Sequence, residues 1–379
     1  MTYKPQNPFI VGRYVSPEFF CDRIEETATL TKHLTNGRNV ALISPRRMGK
    51  SGLIEHTFGQ AQIQEQYYTF FIDIYGTRSF SEMVYLFANN IYNQLKPRNT
   101  QWKERFFQVI RSLQAGVKFD NLSGTPTLDL SLGDITAPKT TLEEIFSYID
   151  TADKPCLIAF DEFQQISKYR DETAVEAILR THIQHCHNAQ FIFAGSKRHM
   201  MSQMFLSPTK PFYQSTIIMG LEPIPLDTYT EFAQRLFHKA GKEVESRVVE
   251  AVYHRFDGIS WFIQMMMNEL FAITPTGACC TTEAIEAAFR NIVESQQMAF
   301  RELMDKVPTK QKQLLQAIAK AGKAQNITSG EFIKCYNLPS ASSVQSATKA
   351  LLADDLITQT DGVYSIYDRF LAAWICQNY

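Results

Sequence analysis

A chain of 379 residues is long enough for two or three domains, each with its own core. With 45% hydrophobic and 20% charged residues it has an ordinary globular composition, which excludes a disordered or fibrous chain. A formal net charge of −1 gives no global attraction to nucleic acid or acidic membranes, so binding of that kind needs a local basic patch.

Seven cysteines (Cys21, Cys156, Cys186, Cys279, Cys280, Cys335 and Cys376) are scattered and form no C-x-x-C pair. That usage suits reduced thiols in a cytosol. The opening residues, Met-Thr-Tyr-Lys-Pro-Gln-Asn-Pro-Phe, lack a charged-then-apolar signal segment. No run approaches the roughly 20 apolar residues of a membrane-spanning helix. The expectation is a soluble, cytoplasmic protein with no membrane contact.

The first strong element is Val40-Ala-Leu-Ile-Ser-Pro-Arg-Arg-Met-Gly-Lys-Ser51, a short apolar strand entering a phosphate-binding loop. The P-loop pattern is G-x-x-x-x-G-K-[ST], and only its first glycine departs, replaced by Ser44. Such a loop turns successive backbone N–H groups inward around phosphates at a helix N-terminus. Ser44, Pro45, Arg46, Arg47, Met48, Gly49, Lys50, Ser51 and Gly52 are therefore the candidate nucleotide-binding residues. Lys50 would reach the β/γ-phosphates and Ser51 would bind Mg²⁺. Arg46 and Arg47 read equally as phosphate-side groups or as structural ones.

Further strands are expected over 68–74, 156–160, 190–194 and 217–221, as short β-branched and aromatic runs of the kind buried in a parallel sheet. Helical spacing over 81–95 and 173–187 connects them. Residues 115–135 interrupt the alternation with a Gly-Thr-Pro turn, which predicts an inserted β-hairpin, as an edge element or a partner contact. The fold class is α/β, a P-loop core with a five-stranded parallel sheet over 1–225.

Past Pro225, helices are expected over 227–240, 245–256, 261–273 and 282–304, forming a helical lid over 226–304 whose Met265-Met-Met267 is core filler. Over 305–379, three helices (310–321, 329–336, 342–354) precede a strand, an Asp361-Gly362 turn and a strand, which is the winged-helix arrangement.

The partner of the loop is Pro155-Cys-Leu-Ile-Ala-Phe-Asp161-Glu162. An apolar strand ending in two acids is a Walker B strand, and it carries Asp161 to the C-terminal edge of the sheet, where open α/β folds bind ligands. There Asp161 would hold Mg²⁺ beside Ser51, and Glu162 would polarise an attacking water. The alternative is a solvated acidic strand end. Gln190-Phe-Ile-Phe-Ala-Gly-Ser196 ends in a polar residue, read either as a γ-phosphate or water sensor or as a helix N-cap.

These motifs, with Phe20-Cys-Asp-Arg23, Gly258-Ile-Ser-Trp-Phe-Ile-Gln264 and Tyr364-Ser-Ile-Tyr-Asp-Arg-Phe-Leu-Ala-Ala-Trp374, resemble the archaeal/bacterial ATPase family of AAA+-type signal-transduction ATPases. The resemblance spans nearly the whole chain. It implies a nucleotide-gated switch in which Phe20 and Arg23 border the adenine, and Lys50, Ser51 and Asp161 hold phosphate and Mg²⁺. Glu162, Lys50 and Ser196 are then the expected catalytic residues. Two departures stand out. Ser44 replaces glycine at the loop start, and Pro211-Phe-Tyr-Gln-Ser215 holds no arginine where many relatives carry Gly-Arg; in the lid motif Ser260 stands in place of proline.

His182, His185, Cys186 and His187 concentrate metal-capable side chains, read as zinc ligands or as a helix end favoured by the dipole. From Asp305 to Tyr379 eight Lys/Arg face six Asp/Glu, and the candidate recognition helix 342–354 offers Gln345, Ser346 and Lys349 but no arginine. DNA affinity depends on phosphate neutralisation, so protein contact or self-association is the leading role for the winged helix and DNA the lesser one. The function expected is an Mg²⁺-dependent ATPase of slow turnover. The alternative is a nucleotide-stabilised binding module with negligible turnover.

Overall fold

A computed structural model describes residues 5–95, 117–119, 126–128 and 132–379. Its central sheet is built from β1 (Val40–Ile43), β2 (Tyr68–Asp73), β5 (Cys156–Asp161), β6 (Ala189–Gly195) and β7 (Ile217–Met219), all parallel, in the order β2-β5-β6-β1-β7. Between β2 and β5 in sequence, β3 (Val117–Phe119) and β4 (Pro126–Leu128) form a separate antiparallel pair. The expected hairpin is present, but its second strand starts at the turn proline. Gly124, Thr125 and Leu130 of that reading lie outside the described residues.

Every residue of β1 and β5 is buried, the reason both read as unbroken apolar runs. At the edge, β7 leaves Ile217 and Ile218 partly exposed. Behind the strand ends Phe163, Phe193, Phe205 and Phe212 interlock, with Phe163 and Phe193 at 4.6 Å and Phe193 and Phe212 at 5.4 Å between centroids. Burial of each such ring stabilises by about 1.5–3 kcal/mol. Phe163 directly follows Glu162, so this cluster fixes the backbone that carries the acid pair.

The chain divides into two compact units: Gly12–Ile224, and Pro225–Tyr379 together with the N-terminal residues through Val11. This departs from the expected 1–225 core. Phe9 is fully buried against Phe232, Phe237 and Phe271, while Asn7 donates to Asn268 O at 2.8 Å and Asn268 returns a bond to Phe9 O at 2.7 Å. Apolar burial of one aromatic thus moves the first segment into the lid.

The second unit contains helices Leu226–Lys239, Ser246–Arg255, Ser260–Ile273 and Ala284–Lys306. Met266 and Met267 are buried, as core filler requires. Two short strands not foreseen, Glu243–Val244 and Cys279–Cys280, pair in parallel. Helices Thr309–Ala321, Gly330–Cys335 and Ala341–Ala353 and the antiparallel pair Ile357–Thr360 and Val363–Ile366 make the winged helix. The expected 304/305 boundary does not separate two bodies. Helix Arg369–Asn378 inserts Phe370 among Phe256, Phe262 and Phe289, and Arg369 and Lys323 both bind Asp257, at 3.1 and 3.0 Å.

Candidate nucleotide site at the sheet edge

Strand β1 delivers the chain into the loop 44–49, and helix Lys50–Phe58 leaves it. Positive φ angles at Arg47 (68°) and Gly49 (92°) curl the backbone into a concave turn of the kind that holds anions. Ser44 has no positive φ, so serine occupies the first glycine's place without strain; it is fully buried, and its Oγ donates to Pro45 O at 3.4 Å.

Lys50 is only 6% exposed and donates to Ser44 O at 2.9 Å and Pro45 O at 3.0 Å. Burial lowers its pKa to about 8; Glu162 and Asp161 oppose that shift, and the charges of Arg46 and Arg198 add to it. Keeping the ammonium charged at neutral pH therefore costs on the order of 3 kcal/mol. An incoming polyanion would remove that penalty.

Across the sheet, Ser51 Oγ donates to Asp161 Oδ2 at 2.5 Å, and Asp161 Oδ1 accepts from Glu162 N at 2.9 Å. Burial raises the Asp161 carboxyl even against these two donors. Asp73 lies in register with Asp161 at the same edge. A hydroxyl and a carboxylate in contact, with Ser51 exposed, are the oxygen donors a hard divalent cation takes. The residues present fit Mg²⁺ and a triphosphate.

Glu162 sits in the left-handed region at φ 54°, which turns its side chain off the strand direction. Its Oε2 accepts from Ser196 Oγ at 2.8 Å and from Gln164 Nε2. Arg46 Nε donates to Ser196 Oγ at 3.3 Å, and its guanidinium lies 5.8 Å from the Tyr75 ring centre. The N-cap of helix Arg198–Leu206 is Lys197, with no side-chain cap bond, so Ser196 is not the helix cap. Lys50, Ser51, Asp161, Glu162, Ser196 and Arg46 thus meet at one edge.

Phe20 and Arg23 stand to one side. Phe20 stacks on His56 at 4.5 Å, Tyr14 bonds His56 Nδ1 at 3.1 Å, and the Phe20 edge lies against Gly52. That makes an aromatic shelf beside the loop helix. Arg23, 3% exposed, pairs with Glu26 at 2.5 Å and donates to Met48 O at 3.3 Å. Its guanidinium braces the loop from behind. Met48 is buried beneath the loop, and Pro45 contributes its carbonyl to Lys50.

Sequence reading missed Gln164, whose place two residues after Glu162 was the available signal. It also missed Tyr14 and His56, which carry none without the fold, and Arg198. In the segment 211–215, Phe212 is core, and the neighbouring cation Lys210 is bound to Glu176 at 3.0 Å and Glu172 at 3.6 Å. His182 stacks on Phe146 at 5.3 Å, and burial lowers its pKa, which disfavours a charged helix-end histidine there. Among the described residues no cluster of three or more metal-capable side chains occurs. No helix among them is long and apolar enough to cross a membrane. No disulfide joins the cysteines among the described residues.

In the winged helix a groove of about 820 Å³ runs past Asn326, Thr328, Gln345, Ser346, Lys349 and Tyr364. Among the described residues that line it, Lys349 is the cation.

A family model described as a probable winged helix domain matches residues 298–377, beginning inside helix Ala284–Lys306. A search of curated proteins finds no match. Among solved structures, the Walker-type ATPase of Pyrococcus abyssi aligns over 97% of this chain and 99% of its own, with TM-score 0.66 and 19% identity. The Aeropyrum pernix ORC2 protein, solved as ADPNP-ADP complexes, aligns over 99% and 98% with TM-score 0.58 and 14% identity. The Aeropyrum pernix ORC1 protein, solved in complex with DNA, aligns over 98% and 97% with TM-score 0.56 and 11% identity. The chain has the fold of these P-loop ATPases, with a C-terminal winged helix.

Proposed function

We propose that the chain binds ATP with Mg²⁺ on the 44–51 loop, hydrolyses it slowly, and acts as a nucleotide-gated switch through its lid and winged helix. The observation that carries this reading is the convergence of buried Lys50 with Ser51, Asp161 and Glu162 at one strand edge. Lys50 and the concave backbone at Arg47 and Gly49 would hold the phosphates, and Ser51 and Asp161 the metal. Bound Mg²⁺ would neutralise phosphate oxygens. Glu162 would accept a proton from, or orient, the attacking water; Ser196, bonded to both Glu162 and Arg46, would report the γ-phosphate. Phe20 and its aromatic neighbours would border the adenine, with Arg23 holding the loop rather than the base.

A second reading, a nucleotide-stabilised binding module with negligible turnover, draws support from the 211–215 segment. It supplies no arginine, and the adjacent Lys210 is committed to Glu176. For the winged helix, the thin charge of its groove favours a protein partner or a second copy over DNA. The scattered cysteines with no C-x-x-C pair support a cytoplasmic location.

Calorimetric titration with Mg-ATP, alongside phosphate release, tests the reading. Binding should be lost in Lys50→Ala. An unchanged dissociation constant in that variant would reject the loop as the ATP site. Tight binding without release in a single-turnover assay would favour the second reading.

A further inference from the structure

Gln164 is 3% exposed and follows the acid pair by two residues, in the short 3-10 segment Phe163–Lys168. Its amide nitrogen donates to Glu162 Oε2 and lies 3.4 Å from Ser196 Oγ. One side chain therefore ties together the two residues that would meet the water and the γ-phosphate. The orientation of the amide follows from chemistry, because only nitrogen can face a carboxylate oxygen favourably.

That orientation has a consequence. Gln164 Oε1 is turned away from Glu162 and is buried with no hydrogen-bond partner among the described residues. It lies over the backbone of Gly195, where a built Cβ would stand 2.6 Å from it. Glycine at the end of β6 is what makes room for the amide, and Met201 closes the same space. A buried unsatisfied carbonyl oxygen lowers stability. Nothing in the packing requires it, since an apolar side chain of similar length would fill the volume without the unmet acceptor.

Resting on the ATPase reading, we infer that Gln164 is a positioning residue for hydrolysis: it holds Glu162 by Oε2, so that Oε1 is presented to the attacking water, and keeps Ser196 in the same plane of contact. Two donors on one carboxylate oxygen fix the rotation of the group and leave the other oxygen as the acceptor. The local stability lost at Gln164 Oε1 is the counterpart of that alignment. Sites built for activity commonly break a local rule in this way.

Gln164→Met keeps the volume and removes both the donor and the unmet acceptor. Its expected signature has opposite signs: kcat falls by about tenfold or more, the Mg-ATP dissociation constant stays within about twofold, and Tm is unchanged or higher. Gln164→Glu replaces the donor with a like charge beside Glu162, and kcat should fall further, by about a hundredfold. A merely structural glutamine would lower Tm on replacement, and any loss of kcat would accompany that loss of stability.

Measured kcat, Kd and Tm of the full chain decide. If the unaltered chain turns ATP over and Gln164→Met matches its kcat within twofold, or exceeds it, the inference fails while the ATPase reading stands. If Gln164→Met loses kcat only together with Tm, the role is structural and the inference also fails. If the unaltered chain binds Mg-ATP without turnover, both fail together. Should Gln164→Met not fold, Gln164→Leu offers a second approach: it also removes the donor while staying apolar, and the same split between kcat and Kd is expected.

Discussion

The sheet edge and the winged-helix groove are both concave and polar, yet they are built in opposite ways. At the edge, each polar group is committed to another: Lys50 to two carbonyls, Ser51 to Asp161, Glu162 to Ser196 and Gln164. Lys50 and Asp161 among them are buried, where charges act strongly and cannot reorganise cheaply. The groove of about 820 Å³ instead carries the exposed side chains of Gln345, Ser346 and Lys349. On the proposed reading the first would serve one ligand of high charge, the second a surface contact that tolerates adjustment.

The contrast breaks first, and by most, at Glu162. Glu162→Gln should keep Mg-ATP binding within about twofold and slow phosphate release by about 10² to 10⁴. A mild effect on both would mean the edge is no more specialised than the groove. Next comes Phe9→Ala, which hollows the lid cluster and leaves the edge untouched. Thermal unfolding should show about 3–5 kcal/mol of lost stability. A loss under 1 kcal/mol would contradict the packing of the first segment.

Lys50 sharpens the comparison through pH. Its folded pKa of about 8 lies below the ordinary 10.5, so above pH 8 the free protein increasingly holds it neutral. Phosphate oxygens favour the charged form. ATP affinity should therefore fall as pH rises from 7 through 8 to 9, with proton uptake on binding near pH 8.5, read by calorimetry in buffers of different ionisation enthalpy. The stability sign is the reverse: without ligand the buried ammonium destabilises the fold most fully below pH 8, and the penalty fades as pH rises toward 10.5. Affinity that is flat over this range would argue against a buried lysine at the phosphates. The smallest effect belongs to the groove. Lys349→Ala should leave ATP turnover unchanged and, in a salt titration on random duplex DNA, change the slope by no more than about one.

Much of the edge was legible because its chemistry is local in sequence. Ser44–Ser51 and Asp161-Glu162 are contiguous, and the flanking strands are fully buried, so their apolar runs carry the sheet unaided. Ser196 was reachable for the same reason, as the first polar residue after β6. The rest depends on contacts between distant segments. Arg23 reads as a ligand residue until its guanidinium is seen on Met48 O, and Gln164 gains meaning only through Ser196 and Gly195 on another strand. The two-residue strands at Glu243–Val244 and Cys279–Cys280 are too short to show any period. The packing of Phe9 and of Phe370 against segments distant in sequence was likewise out of reach of local patterning.

Asn268 and Phe9, which join the start of the chain to the lid, are separated by 259 residues. Seen along the chain, the whole ATPase core is an insertion between the first and second pieces of the lid's own hydrophobic cluster. On a ribosome Phe9 can begin to bury only after Phe232 and Phe237 have emerged, and its pocket is complete only once Phe271 follows. The lid is thus completed late, by a loop closure that a folded core shortens to the distance between its own two ends.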